Sequence, residues 1–223
     1  MSLHLQRQIA KLKKAILAQG GAVEERLQMA LRSVQNRDVE LARQVIEGDH
    51  ALDEQEVEIE EECLHTLALH QPVAFDLRFI VAILKINSDL ERIGDLTTTI
   101  GDQASELARE AELGQQPVDV AAMGAQVRLM LKQSLDAMVN IDTDLADQVR
   151  LADDAVDEVH RTTYRNVETG IRDCPGYVKQ YIRMVSISRS LERIADHCVN
   201  IADDVLYMAR GDILRHARPH TTD

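Results

Sequence analysis

Helix-breaking and bulky residues are scarce in this chain of 223 residues. Tryptophan is absent, aromatic side chains make up 3%, and there are only 10 glycines and 4 prolines. No run of 18 apolar residues is present, so we expect no membrane span. Residues 1–20 also lack the uninterrupted apolar segment of a secretory signal. These absences favour long helices in a protein of the cytoplasm.

Cysteine and positive charge are also in short supply. Cys63, Cys174 and Cys198 are odd in number and form no CxxC pair, which is typical of reduced thiols in a cytoplasmic protein. The chain has 25 basic and 38 acidic side chains, and its net charge is −13. Because this charge repels phosphate groups, we exclude nucleic acid and anionic membrane surfaces as partners.

Aliphatic residues are abundant, and they recur at alternating steps of three and four residues, which is the spacing of a buried helix seam. One such seam consists of Met184, Ile187, Leu191, Ile194, Cys198, Ile201, Val205 and Met208, and an equivalent one of Ile83, Ile86, Leu90, Ile93, Thr97, Ile100, Ala104 and Leu107. The patterning predicts six helices, over about 6–35, 38–70, 74–112, 119–140, 142–171 and 177–210.

Much of the chain occurs twice. Residues 90–95 (LERIGD) return as residues 191–196 (LERIAD), and the pair Asp49 and Asp53 returns as Asp153 and Asp157. We therefore predict an all-α fold of two tandem antiparallel three-helix bundles related by internal duplication. The predicted domains are residues 1–113 and 117–223.

Each copy carries two pairs of carboxylates spaced i, i+4, so each pair lies on one helix face. In the first copy, Asp49 and Asp95 are equidistant from Pro72, and so are Asp53 and Glu91. The second copy has the same arrangement about Cys174 and Pro175. Since a helical hairpin that turns at a proline brings equidistant positions to one level, four carboxylates should meet in each copy.

These carboxylates are the predicted metal ligands: Asp49, Asp53, Glu91 and Asp95 in the first copy, and Asp153, Asp157, Glu192 and Asp196 in the second. Like-charge repulsion and desolvation would cost several kcal/mol unless protons or metal ions compensate. Oxygen ligands suit hard cations, and bridging carboxylates also suit clustered iron. The expected cofactors are divalent or iron-type metal clusters, with Fe, Zn, Mn, Mg and Ca as the candidates.

Three parts of the sequence resemble the PhoU family of phosphate-signalling regulators. They are residues 71–78, the two LERI segments, and the segment from Val45 through Asp53 to Cys63. The resemblance runs from about Gly20 to Gly211. It implies two three-helix bundles with multinuclear metal clusters on the eight carboxylates, and a non-enzymatic cytoplasmic protein. Its expected role is to repress the phosphate-starvation response between the ATPase subunit of the phosphate ABC transporter and a sensor histidine kinase. We also expect a homodimer.

The two copies differ close to the predicted ligands. Thr99 stands where the second copy has Asn200, and Glu56 and Glu60 are matched by His160 and Tyr164. The two sites could therefore differ in metal, nuclearity or occupancy.

Three other interpretations stay open from the sequence. The acids could form solvated helix faces paired with Arg92 and Arg193. A carboxylate-bridged di-iron enzyme is a second interpretation, because Glu62-x-x-His65 has the Glu-x-x-His spacing of that class and Asp157-x-x-His160 is a loose analogue. A phosphotransfer bundle is the third, with an acceptor among His50, His65, His70, His160 and His197.

Overall fold

The computed structural model describes residues 3–211, which are helical apart from short connections. The helices are α1 Leu3–Asn36, α2 Val39–Glu47, α3 Asp49–His70, α4 Ala74–Arg109, α5 Val120–Asn140, α6 Thr143–Asp173 and α7 Val178–Arg210, with a 3-10 turn at Pro175–Tyr177. Within residues 3–211, no helix combines the length and the apolar character needed to cross a membrane.

The helix predicted over residues 38–70 is divided at Gly48 into α2 and α3, whereas its counterpart α6 is continuous. The cause lies on α1, where Arg26 donates a hydrogen bond to the Val45 carbonyl at 2.5 Å. In a regular helix this carbonyl would accept from the residue four positions later, Asp49. The six predicted helices are thus present in residues 3–211, and the second of them is interrupted at Gly48.

Side-chain caps and prolines define the helix ends. Asp38 accepts a hydrogen bond from the Leu41 amide at the start of α2, and Asp142 accepts two at the start of α6. The turn between α3 and α4 contains Pro72, and the turn between α6 and α7 contains Pro175. Both hairpins therefore reverse at the predicted prolines.

Helices α1 to α4 form the first three-helix bundle and helices α5 to α7 form the second. All sixteen residues of the two predicted seams are buried. All of them except Thr97 and Ala104 belong to one continuous apolar core that includes residues of both copies. The predicted domain limits, 1–113 and 117–223, extend at both ends beyond the described residues.

Antiparallel packing of α4 against α7 joins the two bundles. The seam residues Ile93 and Ile194 are fully buried at its centre. Polar contacts flank the seam: Lys85 Nζ lies 2.8 Å from Asp204 Oδ1, and His197 Nδ1 lies 2.7 Å from Asp89 Oδ1. Because these contacts join residues of opposite copies, the bundles are held by charge as well as by the shared core.

A second contact between the copies is reciprocal. A Cβ atom on Gly20 of α1 would lie 2.8 Å from both Leu135 methyl carbons of α5. At the repeat-equivalent position, a Cβ atom on Gly124 of α5 would lie 2.5 Å from a Leu31 methyl carbon of α1. Each helix thus accepts a leucine of the other against a glycine, which lets α1 and α5 approach closely.

We predict opposite effects for alanine at two adjacent glycines of α1. Gly20→Ala should force the buried Leu135 side chain to move, whereas a Cβ atom on Gly21 meets nothing within 4 Å. Both variants gain the same helix propensity, so the difference between them isolates the steric cost. Gly20→Ala should be less stable than Gly21→Ala by about 1–3 kcal/mol. Chemical denaturation measures this difference, and equal stabilities would contradict the close crossing.

Candidate metal centres

The second bundle places its four predicted ligands near one another, although they do not converge on a common point. Asp153 and Asp157 on α6 lie near Glu192 and Asp196 on α7, as their mutual electrostatic effects indicate. Burial, followed by the charges of the neighbouring carboxylates, raises the pKa of Asp153 to about 7. Burial followed by the neighbouring Asp196 and Asp157 charges also raises the pKa of Glu192. The four carboxylates thus repel one another, and the charges of Arg189 and Arg193 offset this repulsion only in part.

The unpaired state of Asp153 is the strongest sign that this site accepts a cation. Its Oδ1 atom is buried and has no hydrogen-bond partner among the described residues. Within residues 3–211, no lysine or arginine lies within 4 Å of any of the four carboxylates. Such a group requires either protonation or a bound cation. Its all-oxygen donor set suits hard cations.

The first bundle is arranged differently. Burial raises the pKa of Glu91, and the charges of Asp95, Glu56 and Asp53 add to this effect. The structure thus brings three predicted ligands together and adds Glu56. The fourth, Asp49, instead accepts a hydrogen bond from Arg26 Nη1 at 3.0 Å.

Arg92 neutralises part of the remaining charge in the first bundle. Its guanidinium lies 3.3 Å from Glu91 Oε2 and 3.3 Å from Asp95 Oδ2. The Arg92 side chain is exposed, so these pairs contribute little to stability. The interpretation of the acids as arginine-paired faces therefore applies in part to this copy, and no equivalent pairing by Arg193 occurs within the described residues.

No three His, Cys, Asp or Glu side chains of the described residues stand in a ready arrangement for a metal ion. In both bundles the carboxylates lie near one another without converging on a common point. The chemistry of the donors and the unpaired Asp153 oxygen fit a metal, and the eight-residue ligand set stays a prediction.

Sequence reasoning missed Arg26. This residue is 8% exposed and occupies a position within the apolar face of α1, between Val23 and Ala30. A charged side chain within an apolar helix face was the available signal, because such a group requires a buried partner. Its partner, Asp49, lies on another helix.

The layer next to each carboxylate site also differs between the copies. In the first, Asn87 donates a hydrogen bond to the Glu56 carbonyl at 2.8 Å. In the second, His160 Nδ1 lies 2.8 Å from the hydroxyl oxygen of the buried Ser188. The substitution of His160 for Glu56 thus replaces a carboxylate by an imidazole next to the second site.

Two of the residues that suggested an enzyme or a phosphotransfer bundle, Glu62 and His197, have partners outside the carboxylate groups. Glu62 forms an ion pair with Lys11 at 2.7 Å on the groove between α1 and α3, away from the carboxylates of the hairpin. His197 lies in the α4–α7 contact with Asp89.

Comparisons with known proteins agree with this architecture. A family model described as PhoU domain matches residues 16–104 and again residues 120–205. The phosphate-specific transport system accessory protein PhoU homolog of Pseudomonas putida is 38% identical over 216 residues, which is 97% of this chain and 84% of that protein. The phosphate-specific transport system accessory protein PhoU of Escherichia coli (strain K12) is 32% identical over 211 residues, which is 94% of this chain and 86% of that protein.

Two crystal structures are also similar. The structure of PhoU from Pseudomonas aeruginosa has a TM-score of 0.90 and 37% identity, and the match covers 93% of this chain and 99% of that one. The phosphate transport system regulatory protein PhoU from Streptococcus pneumoniae has a TM-score of 0.87 and 27% identity, with 94% and 98% covered. The all-helical fold with two repeats is therefore confirmed by relatives that match along nearly the whole chain.

We predict that the metal-free protein loses stability as pH rises. The pKa of Asp153 is about 7 in the folded protein, well above the ordinary value of an aspartate, so the folded state holds a proton that the unfolded state releases. The stabilisation that this proton provides is therefore fully present below about pH 4, and it is lost as pH rises through 7. Partial solvent screening reduces the effect to about 1–2 kcal/mol.

The measurement is urea unfolding in a chelating buffer between pH 5 and 8. Asp153→Asn should flatten the decline, while Glu168→Gln, which removes an exposed charge from the same helix, should leave it steep. Identical slopes for both variants would contradict the assignment to Asp153.

Proposed function

We propose a function for this chain from one established premise, namely that it belongs to the PhoU family of phosphate transport accessory and regulatory proteins, which is a non-enzymatic family. The di-iron enzyme is thereby set aside. Our proposal is a metal-binding cytoplasmic regulator of phosphate uptake that also represses the phosphate-starvation response. It would act between the phosphate ABC transporter and a sensor histidine kinase.

The observation that supports metal binding most strongly is the group of mutually repelling carboxylates in the second bundle, whose Asp153 Oδ1 atom is buried without a hydrogen-bond partner among the described residues. A divalent or iron-type cation there would offset the repulsion among the acids and supply a partner for that oxygen. In this proposal Asp153, Asp157, Glu192 and Asp196 hold the second metal centre. Asp49, Asp53, Glu91 and Asp95 provide the ligands of the first.

Metal should stabilise the folded protein, because a ligand that binds only the folded state contributes about 2.7 kcal/mol at a hundred times its dissociation constant. A chelator should therefore lower the melting temperature of the wild type. Glu192→Gln/Asp196→Asn should remove the metal of the second bundle, and Glu91→Gln/Asp95→Asn that of the first. Elemental analysis and thermal melting measure the two effects.

The matched control is Glu54→Gln/Glu158→Gln, which removes the same number of charges from exposed positions one residue after Asp53 and Asp157. It should keep the wild-type metal content and chelator response. Equal metal content in the control and both site variants, or melting curves that ignore the chelator, would leave the carboxylates as solvated faces.

The regulatory part of the proposal rests on charge and surface. Net charge of −13 disfavours contact with DNA, so an effect on transcription should pass through other proteins. Long amphipathic helices offer faces that fit a groove of a partner. The proposed partners are the ATPase subunit of the phosphate transporter and the cytoplasmic part of the sensor kinase. The homodimer also stays a prediction, which sedimentation equilibrium can test.

Deletion of the gene should switch on phosphate-starvation genes in phosphate-rich medium, and only in cells that retain the sensor kinase. The reason is that the protein would act through the kinase rather than on promoters. Reporter assays in single and double deletion strains measure this. Purified protein should bind the kinase and leave promoter DNA free at moderate salt. Unchanged reporter activity in the single deletion, or specific promoter binding, would argue against the proposal.

A further inference from the structure

Arg26 is held by several hydrogen-bond partners beside the carboxylates of the first bundle. Besides the hydrogen bond to Asp49, its Nη2 atom donates to the Val45 carbonyl at 2.5 Å and to the Thr98 hydroxyl at 3.0 Å. A Cβ atom on Gly48 would lie 3.5 Å from Arg26 Nε, and one on Gly94 would lie 3.9 Å from Nη1. Two glycines, a hydroxyl and a carbonyl thus surround one buried guanidinium.

The second bundle lacks this site. Counting from the matched pairs Asp49/Asp153 and Asp95/Asp196, the residues equivalent to Arg26, Gly48, Gly94 and Thr98 are Met130, Ala152, Ala195 and Val199. Met130 and Ala195 are buried in the apolar core, and Ala152 and Val199 pack against it. Since these four positions differ together between the copies, a cation at the position of Arg26 is a feature of the first copy alone.

The consequence for the carboxylates is opposite in the two copies. Asp49 has a guanidinium partner, whereas the Oδ1 atom of its equivalent, Asp153, is buried without a partner among the described residues. The helix is interrupted at Gly48 beside Arg26 and continuous at Ala152 beside Met130. Backbone and charge therefore change at the same place.

We infer that Arg26 is a built-in cation that replaces part of the metal in the first bundle, so that the two repeats bind metal unequally and the second binds it more tightly. This inference rests on the proposed metal binding. Arg26 already occupies Asp49 Oδ1, and a metal bound to this carboxylate would lie beside a second, buried positive charge. In the second bundle the metal meets no such competitor.

The affinity of each site can be measured alone. The Glu192→Gln/Asp196→Asn background reports the first site and the Glu91→Gln/Asp95→Asn background reports the second. Equilibrium dialysis with Mn²⁺, followed by elemental analysis, gives the dissociation constants. We expect the second site to bind Mn²⁺ at least tenfold more tightly.

Exchange of the two residues tests the cause. Arg26→Met should tighten the first site by tenfold or more, and Met130→Arg should weaken the second by a similar factor. Arg26→Lys, which keeps the charge, should leave the first site weak. Lys14→Met, which removes an exposed charge from the same helix, should change neither constant. Arg26→Met should also lower the melting temperature in chelator, and Mn²⁺ should restore it.

The outcomes separate this inference from the proposed function. Equal Mn²⁺ affinities of the two sites, or an Arg26→Met protein whose first site is unchanged, would overturn the inference and leave metal binding intact. A wild type that takes up no Mn²⁺ in either bundle would overturn both. If a core variant fails to fold, the comparison of the two single-site backgrounds decides, because it needs no change at positions 26 or 130.

Discussion

The antiparallel contact between α4 and α7 determines where the other features of the molecule lie. Both helices direct their aliphatic seams into the shared core, with Ile93 and Ile194 at its centre. The carboxylates of α4 and α7 lie one or two positions round from these seams, and they face the carboxylates of α3 and α6, the first helices of the two hairpins. Apolar packing of the seam thus holds charged groups close together that would otherwise separate. The packing of the helices keeps the acids in place, and other groups must balance their negative charge.

Two kinds of compensation occur in the same fold. In the first bundle two arginines balance part of the charge, with Arg26 buried against Asp49 and Arg92 exposed beside Glu91. In the second bundle burial raises the pKa of Asp153, so protons take that role when no cation is present. The two copies therefore have their acids at equivalent positions, but they balance the charge of these acids in different ways. This difference is not visible in the LERI segments, which are nearly identical in the two copies.

The features predicted from the sequence are those that local spacing determines. Periodicity located the seams, and the prolines located both hairpin turns. The break at Gly48 could not be predicted, because a single glycine is tolerated in a helix and its cause, Arg26, lies on another helix. For the same reason the pairing of Asp49 with Arg26 could not be predicted. The pairing of α4 with α7 was equally hidden, since an apolar seam indicates burial without naming the helix that covers it.

The reciprocal crossing of α1 and α5 has a consequence for the history of the chain. Each copy carries both elements of the contact, the glycine and the leucine, as Gly20 with Leu31 and Gly124 with Leu135. Such a contact has the symmetry of an isologous interface, in which one surface is complementary to itself. A single copy would hence be able to pair with another of its kind. The Lys85–Asp204 and Asp89–His197 contacts have no counterpart in the opposite direction, since Ser186, Gln103, Ser190 and Leu96 occupy the equivalent positions. These one-way contacts favour unlike halves over like ones, and so turn a symmetric dimer interface into the interior of one asymmetric protein.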